Sequence, residues 1–188
     1  VEGLVEIYPR SGTYVANVFA EDLAETFEIR IALEMLAAQR AVEKVREEDL
    51  ERMKFILRRL ALPVEDIVAH ESANLEFHLL LFQVADSRRL REMYESLNAH
   101  IQIARIHAQE DPARERLRVR FIQEQKEHQA IFDALAARSL SRLQDDLRRH
   151  ISRAQASLIE ALVLRSNGDG GGEGTANKSA KDEKSQRM

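Results

Sequence analysis

Between Glu21 and Leu164 the chain contains no glycine, and only Pro63 and Pro112 interrupt it. Tight β-turns draw on glycine for positive φ, and helix interiors avoid both glycine and proline. The stretch is therefore expected to be helical almost throughout. Asp22 opens the first helix, where a carboxylate suits the positive end of the dipole. That helix runs to about Val45, with Leu33, Leu36, Ala37 and Ala41 at helical spacing. A second covers about 47–61 and stops at Ala-Leu-Pro, because the residue before proline is pushed out of the α region. A third covers about 64–85, ended by Asp86-Ser87-Arg88-Arg89, and a fourth runs to about 109, ended by Glu110-Asp111-Pro112. The fifth and sixth, about 114–137 and 140–164, meet at the short polar junction Ala137-Arg138-Ser139. Six helices with short connections imply an all-α fold, an antiparallel six-helix bundle.

The flanks differ. Residues 1–16, VEGLVEIYPRSGTYVA, pair two β-branched and aromatic runs around PRSG, and read as a short β-hairpin. A plain edge hairpin remains open as its reading. Residues 166–188 are rich in Gly, Ser, Lys and Asp and nearly free of apolar side chains, so a disordered tail is expected. This leaves 17–165 as the domain, and a chain of 188 residues can enclose a sizeable core. The net charge of −4 does not advertise nucleic-acid binding. The absence of cysteine excludes disulfides and thiolate metal sites, and fits a reducing cytoplasm. No apolar run is long enough to span a bilayer, and no basic-plus-apolar leader opens the chain. Because it opens on Val1 rather than Met, we expect a piece of a longer protein.

Six histidines punctuate the helices, at positions 70, 78, 100, 107, 128 and 150. His128 and His150 lie equally far from Ser139. In a helical hairpin, positions equidistant from the turn sit at one height, so two inward imidazoles would meet there. Asn74 and His78 are spaced i, i+4 and share a face of the third helix. Three imidazoles and an amide oxygen converging from three helices would suit a divalent cation such as zinc, nickel or manganese. The plainer reading is a set of hydrogen-bonded core histidines, and spacing alone leaves both open. No glutamate stands three residues before a histidine, so the Glu-x-x-His pair of di-iron bundles is absent. There is no H-E-x-x-H, G-x-S-x-G, Walker loop or dinucleotide fingerprint. An enzyme is therefore not expected.

The order of several segments resembles one family. EGLVEIYPRSGTYVA is followed by EDLAETFEIRIALEMLAA, then NLEFHLLL, EHQAIFDAL and DDLRRHI. Arg30 to Glu34 form R-x-x-L-E; Phe77 and His78, Glu127 and His128, and His150 and Ile151 form the remaining motifs. This resembles the GntR superfamily of bacterial transcription regulators, in the branch with an FCD-type effector domain, over residues 1 to about 162. Six helices suit its shorter, VanR-like group.

The resemblance implies that Asn74, His78, His128 and His150 bind a divalent metal beneath an effector cavity. Asn74 stands where the family has aspartate, so the site keeps the full dication charge against neutral ligands. Ser87 also departs, where the family often has asparagine, and we read it as a change of cap. Arg30 is expected to face the cavity and hold a carboxylate, against the alternative of a surface i, i+4 pair with Glu34. Gln102 and Arg105 are further candidates for effector contact, with His100 and His107 as weaker ones. Residues 1–16 become the wing remnant of a winged helix-turn-helix domain, with Arg10 near the tip for DNA contact. The recognition helix is not in the chain, so operator DNA is a partner of the longer parent. The implied function is a ligand-sensing, dimerising module of a cytoplasmic repressor, in which a small carboxylate effector binds near the metal. A metal-dependent enzyme acting on a small organic acid with the same histidines is the alternative, and a purely structural dimerisation bundle is a third possibility.

Overall fold

The computed structural model describes residues 5–8, 12–15, 20–61, 67–108 and 114–169. Arg10 and the tail from residue 170 onward lie outside the described residues. Strand β1 (Val5–Tyr8) pairs antiparallel with β2 (Gly12–Val15), with Val5 opposite Val15 and Tyr8 opposite Gly12. Six helices follow: α1 (Ala20–Lys44), α2 (Glu47–Leu60), α3 (Ile67–Val84), α4 (Arg88–Ala108), α5 (Arg114–Ala136) and α6 (Leu140–Asp169).

Helix α1 buries Leu23, Phe27, Arg30, Leu33, Glu34, Ala37, Ala38 and Ala41, one stripe at helical period. Its acidic start at Glu21 and Asp22 and its final Lys44 both suit the dipole. At the start of α2, the Asp49 carboxylate accepts the Arg46 backbone N–H at 3.1 Å. Helix α3 is buried over most of its surface, including Ala73, Phe77, Leu80, Leu81 and Phe82, and packs against α1, α2 and α4. Helix α6 lies along α1, α4 and α5. Two amides pin it to α1: Gln144 donates to the Met35 carbonyl at 3.4 Å, and Gln155 to the Ala24 carbonyl at 3.5 Å.

The expected breaks have clear causes. Asp86 (φ 50°) ends α3 and Arg138 (φ 50°) ends α5 in the left-handed region. Beyond Arg138, the Ser139 N–H returns to the Ala134 carbonyl at 3.0 Å, and the Ser139 carbonyl accepts the first bond of α6 from Leu143. One expectation needs correction. Helix α6 does not stop at 164 but continues through Ser166 to Asp169, into the segment expected to be disordered. A helix already formed extends at little cost, and the sequence turns strongly against it only at Gly170, Gly171 and Gly172.

The Arg138 guanidinium closes the end of α1. It donates to the carbonyls of Val42 (2.8 Å), Glu43 (3.3 Å) and Val45 (2.5 Å), which have no helical partner of their own. Arg138→Ala should therefore destabilise the domain by about 1–3 kcal/mol, measured by urea unfolding.

Candidate metal centre

Three helices carry the cluster. Helix α3 supplies Asn74 and His78 one turn apart, α5 supplies His128, and α6 supplies His150. One ligand-capable nitrogen from each histidine lies within 4.8 Å of the others. Ring centroids are 5.6 Å apart for His78 and His128, 5.2 Å for His78 and His150, and 4.5 Å for His128 and His150. All three are buried, His128 completely.

Their hydrogen bonds determine which nitrogens are available. His78 Nδ1 donates to Glu34 Oε2 at 2.8 Å, and His150 Nδ1 donates to Glu127 Oε2 at 2.9 Å. An ionised carboxylate only accepts, so each Nδ1 carries a proton, and a neutral ring then keeps its lone pair on Nε2. Those two Nε2 atoms face each other at 3.3 Å. Two lone pairs opposed in a dry interior repel unless a proton or cation lies between them. His128 adds to the imbalance, because neither of its ring nitrogens has a hydrogen-bond partner among the described residues. The Asn74 amide oxygen is likewise buried and unpartnered. Orphaned nitrogens on His128, facing lone pairs on His78 and His150 and a free amide oxygen are the donor set a divalent ion takes. The residues present fit such an ion.

Protonation favours the same use. Burial lowers His78 to about 4, against the pull of Glu34. Burial, with His150 and His78 alongside, holds His128 well below the usual imidazole value. Both are therefore neutral at pH 7, as a metal ligand must be. Burial opposes ionisation of Glu34, but His78 and Arg30 bring its carboxyl down to about 2. Glu127 is held at about 2 against its own burial, through hydrogen bonds from His150, Arg153 and Gln123.

Arg30 forms its i, i+4 pair with Glu34, Nε to Oε1 at 2.7 Å, but inside the domain rather than on the surface. Its Nη2 has no partner among the described residues, and its guanidinium lies 5.8 Å from the Phe27 ring centre and 5.7 Å from that of Tyr94. Arg105 is buried and paired with Glu71, and burial lowers it to about 10. Gln102 is half-buried on α4. His100 is turned to its own helix, with Nδ1 3.1 Å from the Ser96 carbonyl. The side chain of His107 lies outside the described residues.

Several groups around the cluster escaped the sequence reading. His70 Nε2 sits 3.2 Å from Glu124 Oε2, and its ring stacks on Phe121 at 3.6 Å. Arg120 bonds Glu71 at 2.9 Å and lies 3.6 Å from Glu124. Arg153 holds Glu127 with two bonds, at 2.6 and 2.7 Å. A signal for one of them was present: Glu124 falls on the stripe of Phe121, His128, Ile131 and Leu135, as Glu34 falls on that of Phe27 and Ala41. A carboxylate on a buried stripe requires a cationic or hydrogen-bonding partner.

Glu124 gives this network a pH signature. Burial opposes its ionisation, yet the bond from His70 and the charges of Arg120 and Arg105 lower it from 4.5 to about 2. A depressed carboxyl stabilises the fold above its unfolded value, and the contribution is lost as pH falls through the folded value. Its size is about 3 kcal/mol. Glu124→Gln should be less stable than wild type by that order at pH 7, with the gap closing between pH 4.5 and 2, as followed by chemical unfolding at each pH.

A model of the FCD domain family matches residues 25–153, most of the chain. The HTH-type transcriptional regulator YdhC of Bacillus subtilis is 28% identical over 108 residues, spanning 56% of this chain and 48% of that protein. The HTH-type transcriptional repressor RspR of Escherichia coli is 24% identical over 169 residues, spanning 89% of this chain and 71% of the repressor. Among solved structures, E. coli McbR/YncC superposes with a TM-score of 0.76 at 23% identity, over 84% of this chain and 77% of that one. The chain spans about half of the first relative's length, and the likeness to McbR/YncC speaks for the fold alone. No helix among the described residues is long and apolar enough to cross a membrane. By its matched family model, which covers more than half of its length, the chain belongs to the FCD domain family.

Proposed function

We propose that this chain is the effector-sensing and dimerising part of a bacterial GntR-type regulator, in which a small carboxylate binds beside a divalent metal held by His78, His128, His150 and Asn74. The observation that carries this reading is His128: fully buried, with both ring nitrogens unpartnered among the described residues, beside two histidines whose Nε2 atoms face each other at 3.3 Å. Three imidazole nitrogens favour zinc or nickel over manganese. When bound, such an ion would supply a concentrated positive charge that attracts a carboxylate.

The chain's own residues orient that carboxylate. Arg30 keeps one buried guanidinium nitrogen free of any described partner, a ready donor to an anion. Arg105 is already committed to Glu71, so an anion bound there exchanges with that carboxylate. Gln102, one turn before Arg105 on α4, offers a neutral amide for a hydroxyl or carbonyl. Asn74 adds no negative charge, which leaves the site attractive to acids.

The exposed Ile29 and Leu36 of α1 and Met93 of α4 suit a homodimer contact through those helices. In the intact protein, assigned here to the cytoplasm, residues 1–16 would be the end of a winged helix-turn-helix domain, with Arg10 on the operator backbone. The effector would release DNA by binding one dimer arrangement better than the other.

Calorimetric titration tests this, with zinc first and then a panel of small hydroxy, sugar and aromatic acids. Wild type should bind one zinc per chain and then an acid. Asn74→Asp should bind zinc roughly tenfold more tightly and the acid more weakly, because one added charge acts on both with opposite sign. His128→Ala should lose both. A His128→Ala protein that binds zinc and acid like wild type would overturn the reading.

A further inference from the structure

Two relays of the same composition lead away from the histidine cluster. In one, Arg30 Nε donates to Glu34 Oε1 at 2.7 Å, and Glu34 Oε2 accepts from His78 Nδ1 at 2.8 Å. In the other, Arg153 holds both oxygens of Glu127, and Glu127 Oε2 accepts from His150 Nδ1 at 2.9 Å. His128 has no such partner among the described residues. The relays act on the two histidines whose Nε2 atoms face each other.

Charge gives the relays a second role. The donor set of three imidazoles and one amide is neutral, and a dication surrounded by neutral groups in a dry interior lacks an anion to offset its lost hydration. Among the described residues, Glu34 and Glu127 are the carboxylates in direct contact with the cluster. Both sit one side chain back from the donor nitrogens, where they polarise the imidazoles without taking a coordination position.

Resting on the metal reading proposed above, we infer that Glu34 and Glu127 are the positioning residues of the centre: each fixes its histidine with Nε2 toward the ion and, through the bond to Nδ1, makes that nitrogen a stronger donor. Arg30 and Arg153 hold those carboxylates in place from the far side.

The experiment is zinc titration of the full chain by competition with a chelator. Glu34→Gln and Glu127→Gln should each bind zinc about 10–100-fold more weakly. Adding Asn74→Asp to either should recover about tenfold, because a charge inside the coordination sphere replaces one just outside it. Glu71→Gln is the control: its carboxylate touches Arg105 and Arg120 but no histidine of the cluster, so zinc affinity should stay within about threefold. Nitrogen-resolved NMR of the wild-type histidines gives a readout independent of any variant. His78 and His150 should carry the proton on Nδ1 and zinc on Nε2. Zinc on Nδ1 of either, or Glu34→Gln and Glu127→Gln binding zinc like wild type, overturns the inference and leaves the metal site standing. A wild-type chain that takes up no zinc overturns the metal reading itself.

Discussion

A buried imidazole, His128, with no hydrogen bond to either nitrogen among the described residues, is the constraint on which this interior turns. Each unmet polar group costs about 1–3 kcal/mol, and His128 has two. A fold does not retain that cost where phenylalanine would pack as well. The surroundings make the cost sharper. Phe77 covers one side of the ring at 4.6 Å, and His78 and His150 direct lone pairs into the same space. The helices hold these groups together although, without a cation, the groups repel or go unsatisfied. A bound cation would satisfy all of them at once.

The charged groups behind the cluster follow from the same need. A neutral metal ligand has to stay deprotonated, and burial of His78 and His128 achieves that. Ring orientation has to be fixed, and Glu34 and Glu127 do so through Nδ1. Those carboxylates then require cations, which brings Arg30 and Arg153 inward. Glu71, Glu124, Arg105, Arg120 and His70 extend the network between α3, α4 and α5. Ion pairs of this depth stabilise no more than well-packed apolar groups would, although removing one partner is costly.

Much of this was legible in the sequence because helices write their geometry at fixed spacing. The glycine-free stretch marked out six helices, and the equal distances of His128 and His150 from Ser139 anticipated their contact. Asn74 and His78 shared a face for the same reason. What stayed illegible depended on contacts between segments far apart in sequence. Nothing in R-x-x-L-E tells whether Arg30 and Glu34 form a surface pair or, as here, a buried one that reaches His78 on another helix. Glu127 was read only as half of an E-H motif. Adjacent residues on a helix point about 100° apart, so His128 can enter the cluster while Glu127 reaches sideways to His150 and Arg153. The end of α6 was misplaced because composition marks where a helix is disfavoured, not where an existing one stops.

The central claim is that His78, His128 and His150 bind one divalent ion together. X-ray absorption at the zinc edge of the zinc-loaded chain tests it most directly, because imidazole rings leave a distinct multiple-scattering pattern. The account predicts three imidazoles and at least one oxygen ligand, with nitrogen distances of about 2.0–2.1 Å. A spectrum with two or fewer imidazoles would show that the cluster does not act as one site, and would contradict the account.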